Sequence, residues 1–313
     1  MTDTTSLTPE GPPPAEQAPA EHGVFQSASL LFVFLRICIF IALAIGISFA
    51  LQWITASLLP VDRSLYSPMN LALSEGGSLA GALVAGVVMS RLERRSFGEY
   101  GLPARGAFGK LFWQGALFGL VEISAVIGGI AVLGSYHFGS LAIHGAGLLR
   151  WAAFWGALFL MVGLYEEFAF RGYVQFTLAQ ALRFWPAAVL LSAAFGLVHI
   201  TNPGESKLGI AGVILTGLLW CFTLRRTGNL WFAVGMHASF DFGETFLYSV
   251  PDSGIVFPGH LSNATLAGPA WLTGGSTGPE ASVCDFIALL ILFYVFHRLY
   301  PAGTERSLRS GGN

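Results

Sequence analysis

The sequence predicts an all-α fold, a polytopic transmembrane helical bundle with about eight membrane segments. Of its 313 residues, 54% are hydrophobic and 11% are charged, whereas an ordinary soluble domain has roughly 25% charged residues. So few charges cannot cover the surface of a soluble protein of this length, and lipid is expected to solvate much of the exterior. The net charge of −2 offers no basic surface for nucleic acid, which excludes that class of partner.

Eight apolar segments appear in a window of about 19 residues, and each is expected to form a membrane helix. In chain order they are residues 30–53, 69–90, 108–133, 148–165, 186–200, 208–224, 230–249 and 281–299. Segment 186–200 is shorter than the ~20 residues that usually cross a bilayer, so it must be tilted or shielded by neighbouring protein.

The eight segments are expected to form one transmembrane domain over residues 27–300. Residues 1–26 are rich in Pro, Ala, Thr and Glu. Such a segment cannot bury enough apolar surface to offset its ordering entropy, so a disordered tail is expected there. Residues 301–313 are expected to form a short cytoplasmic tail.

Basic residues indicate the orientation in the membrane. With the N-terminus inside, twelve basic residues fall on the cytoplasmic side and three on the other side, as the positive-inside rule requires. The twelve are Arg91, Arg94, Arg95, Arg105, Lys110, Arg171, Arg183, Arg225, Arg226, Arg298, Arg306 and Arg309, and the three are Arg63, Arg150 and Lys207. Both termini are therefore predicted to be cytoplasmic and the 250–280 loop external, in the plasma (inner) membrane.

Ionisable side chains inside the predicted segments are the main functional signal. Each costs ~2.5 kcal/mol or more to insert into a bilayer, so each needs a reason to be there. They are Glu122, Glu166, Glu167, His199, His237, Asp241, Glu244 and Asp285.

The first group is the adjacent pair Glu166 and Glu167, followed by Arg171. Glu167 and Arg171 stand at i and i+4, so they share a helix face and can form an ion pair. Glu166 points about 100° away from that face and is left free for chemistry. The alternative is a salt-bridged helix end at the inner membrane interface.

Two further groups carry histidines. His199 follows Phe195 by four residues, and Asp241 follows His237 by four. Each group alone fits a structural histidine or a polar helix–helix contact. Together with a free carboxylate they can hold a water and remove its proton as it attacks a carbonyl. His237 is then the candidate donor to the negative oxygen of the tetrahedral intermediate.

These three motifs, E-E-x-x-x-R, F-x-x-x-H and H-x-x-x-N/D, resemble those of the CAAX protease and bacteriocin-processing family. That family includes type II prenyl endopeptidases and bacterial immunity proteins. The resemblance implies an intramembrane endopeptidase with its catalytic core at about residues 150–250 and a conical cavity open to the cytoplasmic side. The implied substrate is a membrane-associated peptide or protein, with or without a lipid modification.

The resemblance also implies roles for individual residues. Glu166 and His199 activate the water, and His237 serves the oxyanion. Asp241 stands where the prenyl endopeptidases have Asn, and an ionised Asp is only an acceptor. Asp241 is therefore protonated, a metal ligand, or, as we favour, the group that orients His237. Glu167 and Arg171 support the site.

Whether the water is bound to a metal stays open at this stage. Glu166, His199 and His237 are the expected ligands if a divalent ion such as Zn²⁺ is present. Two other functions are also open: a non-catalytic immunity or scaffold protein of the same fold, and a solute or proton transporter with the buried acids as a relay.

Overall fold

A computed structural model describes residues 29–59, 62, 64 and 67–301, and helices dominate this part of the chain. The α-helices are α1 (Leu30–Leu58), α2 (Pro68–Leu92), α3 (Lys110–Val132), α4 (Ala146–Glu166), α5 (Gln175–Leu182), α6 (Phe184–Val198), α7 (Lys207–Thr227), α8 (Trp231–Phe242), α9 (Ala270–Thr273) and α10 (Val283–Leu299). π-Helical segments follow α4 at Glu167–Val174 and α8 at Gly243–Leu247. Shorter 3₁₀ turns lie at Phe97–Tyr100, His199–Thr201 and Pro279–Ala281. The strands β1 (Tyr136–His137) and β2 (Thr265–Leu266) pair antiparallel.

Each of the eight predicted segments contains a helix, and the protein is an integral membrane protein. In the described part of the chain, six helical stretches are long and apolar enough to cross a membrane. They are Leu30–Leu58, Pro68–Leu92, Lys110–Val132, Ala146–Leu182, Phe184–Thr201 and Lys207–Thr227. The helices α8 and α10 have 12 and 17 residues. The predicted tail 1–26 lies outside the described residues, as does the predicted tail 301–313 except for its first residue.

The outward faces of the bundle are apolar. Leu31 and Phe49 of α1 are 75% and 72% exposed, as suits side chains that face lipid rather than water. Helix α1 packs against α2, where a Cβ added to Gly81 would lie 2.4 Å from the carbonyl oxygen of Ala44. The missing side chain therefore lets the two backbones touch.

Helix α8, which carries the third motif, is held against α3 by glycines. A Cβ at Gly115 of α3 would lie 2.0 Å from the carbonyl oxygen of Phe232, and one at Gly119 would lie 2.1 Å from that of Met236. This G-x-x-x-G spacing places both gaps on one face of α3. Any larger residue there must push α8 away, together with the polar side chains that it carries.

The fourth predicted segment, residues 148–165, is shorter than the helical stretch that the structure shows. It was expected to stop at residue 165, whereas the helix continues through the π-helical segment and α5 to Leu182. A break in helical dihedrals occurs at Gly172, with φ −80° and ψ −115°. The predicted segment was too short because Glu166, Glu167 and Arg171 interrupt the apolar run, whereas the helix carries the ion pair of Glu167 and Arg171 into the interior of the bundle.

A polar network joins helices at the basic end of the bundle. Arg36 Nε donates to Glu93 Oε1 at 2.9 Å. Tyr100 donates to Glu93 Oε2 at 2.7 Å, and Tyr173 donates to Oε1 at 2.5 Å. Burial raises the pKa of the Tyr100 hydroxyl, which therefore keeps its donor proton. The network links α1, α2 and the π-helical segment after α4.

The 250–280 loop covers the opposite end of the bundle. Trp155 of α4 donates through Nε1 to the carbonyl oxygen of Gly259 at 3.2 Å. The amide of Ala142 donates to the Leu261 carbonyl at 2.9 Å, and β1 and β2 tie the loop to the end of α3. This long segment is thus fixed in place and forms a wall of the site.

Candidate active site

The three motifs meet at one cavity of about 270 Å³ inside the bundle. Its polar lining includes Glu75, Glu166, His199, Asn202, Thr216, His237, Asp241, Asp252, Ser253 and Glu280. Apolar side chains such as Leu158, Phe159 and Val162 form the remaining wall. The elements that supply these groups are far apart in sequence, so the convergence is a property of the tertiary fold.

The two adjacent glutamates occupy different environments. Glu167 is fully buried, and its Oε1 accepts a hydrogen bond from Arg171 Nη1 at 3.1 Å, as the i, i+4 spacing predicts. The Glu166 side chain is 21% exposed and lines the cavity. One carboxylate is therefore bound to a cation, and the other faces the space in which a substrate would lie.

Arg171 lies in the interior of the helical bundle. Its side chain is completely buried, with the guanidinium 4.0 Å from the ring centroid of Phe195 and 5.2 Å from that of Trp220. A Cβ at Gly217 would lie 2.6 Å from Arg171 Nη2, so this glycine leaves the room that the guanidinium needs. The helix continues past Arg171 to Leu182, and the side of the membrane to which Arg171 is nearer stays a prediction.

His237 lies between three carboxylates. Its Nδ1 is 3.2 Å from Glu167 Oε1, and its Nε2 is 3.4 Å from Asp241 Oδ2 and 3.6 Å from Glu166 Oε2. Trp220 stacks on the ring with a centroid distance of 4.2 Å. Glu167 thus connects Arg171 with His237, a contact that the motifs alone did not predict.

The π-helical segments are placed beside these residues. One begins at Glu167 and the other at Gly243, two residues after Asp241. Such segments occur frequently at functional sites because they redirect side chains within an otherwise continuous helix. Their position here agrees with a site built from α4 and α8.

His199 lies where α6 ends and a 3₁₀ turn begins. Its Nδ1 is 2.8 Å from the carbonyl oxygen of Phe195. A carbonyl can only accept a hydrogen bond, so Nδ1 must carry the proton in this contact. The spacing F-x-x-x-H therefore fixes the tautomer of the neutral ring and leaves Nε2 as its acceptor.

Several polar residues of the lining escaped the sequence analysis. Glu75 lies within the predicted segment 69–90 and could have been found as another intramembrane acid. Asp252 and Glu280 lie at the two ends of the loop, where acids are unremarkable in sequence. Burial is the main cause that raises the pKa of Asp252 to about 7 and that of Glu280 to about 7.

Other predicted candidates lie elsewhere. Glu122 and Asp285 are buried, at 3% and 2% exposure, but are not part of the cavity lining. Glu244 is also absent from that lining, although it continues the α8 stripe of His237 and Asp241. His237 and Asp241 of this polar stripe therefore line the cavity, whereas Glu244 lies outside it.

The cavity lies in the half of the bundle nearer to the 250–280 loop. Loop residues and His199, at the loop-side end of α6, form part of its wall. Arg183, Arg225 and Arg226 belong to the opposite end, where α6 begins and α7 ends. The cavity and these basic residues therefore lie at opposite ends of the bundle, and the side on which the cavity opens stays a prediction.

The predicted metal ligands do not form a compact donor group. Among the residues that the structure describes, the acid and imidazole side chains that bring three ligand atoms within 4.8 Å of one another are Glu244, Asp252 and Glu280. Glu166, His199 and His237 are not gathered to that spacing. A metal bound by Glu166, His199 and His237 therefore stays a prediction, and no catalytic step is assigned to one.

Comparison with known proteins supports the resemblance. Residues 148–243 match the family described as Rce1-like, type II CAAX prenyl endopeptidase Rce1-like. No curated protein matches the chain significantly. The matched segment, about a third of the chain, begins in α4 and ends just after α8, and it contains all three motifs. The chain is accordingly a membrane protein that resembles the CAAX proteases.

Proposed function

We propose that the protein is an intramembrane endopeptidase that hydrolyses a membrane-associated peptide or protein with a water activated by Glu166 and His199. The observation that carries this proposal is the shared cavity of Glu166, His199, His237 and Asp241, with Glu167 bound to Arg171 beside it. The family match over the same segment agrees with the peptidase class.

Glu166 is the residue to which we assign removal of the proton from water. It lines the cavity and pairs with no arginine in the described part of the chain, whereas Glu167 is held by one. His199 offers Nε2 as a second acceptor because its Nδ1 proton is held by the Phe195 carbonyl. A carboxylate and an imidazole acceptor can hold one water between them and direct its oxygen.

The proposed hydrolysis proceeds by direct attack of water and forms no covalent intermediate with the protein. The water oxygen bonds to the carbonyl carbon while its proton passes to Glu166. When the tetrahedral intermediate collapses, the C–N bond breaks and Glu166 returns the proton to the leaving amine. The products are a new carboxyl terminus and a new amino terminus.

His237 is the residue to which we assign the hydrogen bond that stabilises the oxyanion. Nδ1 faces Glu167 at 3.2 Å, so Nε2 is the nitrogen near Glu166 and Asp241. In the protonated ring, Nε2–H is a donor at the place where negative charge develops. Asp241 lies 3.4 Å from Nε2 and, as an acceptor, it orients the ring rather than replacing the amide donor of Asn.

The substrate that the cavity favours is a largely apolar peptide segment. Leu158, Phe159 and Val162 line one wall, and the polar groups are gathered where the peptide bond would react. A lipid attached to the substrate is compatible with the lipid-facing exterior of the bundle but is not required by the site. The inner membrane is the location that we propose.

The proposal is tested with the purified protein in proteoliposomes and a library of membrane-anchored peptides, with cleavage detected by mass spectrometry. Wild type should cleave a subset of peptides and Glu166→Gln none, while Glu99→Gln should behave as wild type. Glu99→Gln is a suitable control because it makes the same acid-to-amide change at an exposed residue, in the turn Phe97–Tyr100 at the basic end of the bundle. No cleavage by wild type in any peptide would favour a non-catalytic scaffold, and equal cleavage by Glu166→Gln would refute the role assigned to Glu166.

A further inference from the structure

A second polar centre lies beside the proposed active site and consists of Glu244, Asp252 and Glu280, here called the acidic triad. One ligand oxygen of each residue lies within 4.8 Å of the other two. Glu244 comes from the π-helical segment after α8, Asp252 from the loop that follows, and Glu280 from the 3₁₀ turn that precedes α10. The triad therefore brings the end of the long loop next to α10 against the chain that follows α8.

Glu244 shows that this group is more than a chance cluster of acids. It is 0% exposed, and neither of its carboxylate oxygens has a hydrogen-bond partner among the described residues. A buried carboxylate without a partner is costly, and proteins normally pair such a charge or place it on a metal. The side chain reaches the other two acids, so its oxygens are directed into the triad.

The other two carboxylates are held in place by donors on the loop. Thr245 Oγ1 donates to Asp252 Oδ2 at 2.9 Å. The Ser253 amide donates to Glu280 Oε2 at 2.7 Å, and its hydroxyl donates to the same oxygen at 2.9 Å. These neutral donors orient the carboxylates but supply no full positive charge to offset three acids.

We propose that the acidic triad binds one hard divalent cation, Ca²⁺ in preference to Zn²⁺, and that the cation fastens the 250–280 loop to α8 and α10. Carboxylate oxygens without imidazole or thiolate are the ligands that hard cations prefer. Ca²⁺ takes six to eight oxygens, and water together with both oxygens of a carboxylate can complete its shell.

The position of the triad gives the cation a role in shaping the site. Asp252 and Glu280 also line the cavity that contains Glu166 and His199. A bound ion would therefore fix the loop wall against which a substrate lies, without contacting the reacting atoms. This inference does not depend on the proposed peptidase activity.

The test measures binding and stability rather than cleavage. The full-length protein in detergent is stripped with chelator, and Ca²⁺ binding is measured by equilibrium dialysis at about 1 mM, the affinity range of extracellular calcium modules. Wild type should bind one Ca²⁺ per chain. At a concentration well above Kd, its Tm should rise by about 5 °C or more, because the ion binds only the folded state.

Glu244→Gln is the decisive variant, since it keeps the shape of the side chain but removes the unpartnered charge. It should lose both the binding and the Tm shift, and Asp252→Asn provides a second variant should the first not fold. Glu122→Gln is the matched control, a buried acid outside the triad that should bind Ca²⁺ as wild type does. Absence of Ca²⁺ binding by wild type, or undiminished binding by Glu244→Gln and Asp252→Asn, would overturn the proposal. So would binding of Zn²⁺ alone that His237→Gln removes.

Discussion

The buried ion pair of Glu167 and Arg171 allows a quantitative prediction about stability. Both side chains are completely buried, and their contact is a single hydrogen bond of 3.1 Å. Arg171 Nε and Nη2 have no hydrogen-bond partner among the described residues. Removing the carboxylate by Glu167→Ala therefore leaves a buried guanidinium without the carboxylate to which it is paired.

The expected cost is ~3–5 kcal/mol, the range measured when one partner of a buried pair is removed. The cation–π contact between Arg171 and the Phe195 ring, at 4.0 Å, is worth at most ~2 kcal/mol. Because wild type and variant both have this contact, it does not offset the loss of the carboxylate. At ~2–4 °C per kcal/mol for domains of 150–250 residues, Tm should fall by about 10 °C. His237 also loses the acceptor for its Nδ1 proton.

The assay is thermal unfolding followed by tryptophan fluorescence in one detergent. Glu166→Gln serves as the control and should melt at the same temperature as wild type, because Glu166 is partly exposed and no arginine among the described residues binds it. The double variant Glu167→Ala with Arg171→Met removes both charges and should recover most of the lost stability. If Glu167→Ala melts within about 2 °C of wild type, or if the double variant is no more stable than the single one, the buried-charge argument is refuted.

Two further predictions concern packing and topology. Gly115→Val should lower Tm and yield because its side chain would meet the α8 backbone, whereas Gly128→Val on the same helix, with nothing within 4 Å of its Cβ, should be tolerated; equal Tm values for both would contradict close α3–α8 packing. In a background without native cysteines, Ser276→Cys should react with an impermeant thiol reagent added to intact cells, and Arg94→Cys should not; the reverse pattern would place the loop and the cavity on the cytoplasmic side.

Helix positions could be predicted from sequence because apolar runs report burial in lipid directly. The i, i+4 spacing was also sufficient to predict the Glu167–Arg171 pair, since both residues lie on one helix. The role of Glu167 toward His237 could not be predicted, because it joins residues 70 positions apart. Sequence spacing carries no information about such contacts until the packing of α4 against α8 is known.

The loop residues were missed for a related reason. Asp252 and Glu280 stand in a Gly- and Pro-rich stretch where acids are expected to be solvated. Their burial follows from the way in which the loop folds back over the bundle, fixed by contacts such as that of Trp155 with Gly259. Local patterns describe the segment correctly as a loop but do not show what it covers.

The central claim is that Glu166, and not Glu167, acts on the water. The most direct measurement is kcat/KM for Glu166→Gln and Glu167→Gln on one cleaved peptide, with each rate corrected for the folded fraction in the same proteoliposomes. Glu166→Gln should lose about 10²-fold or more of the rate without a change in Tm, as expected for a missing general base. Glu167→Gln should lose stability together with activity. If Glu166→Gln keeps its rate while Glu167→Gln loses it at an unchanged Tm, the assigned roles are reversed and the account is contradicted.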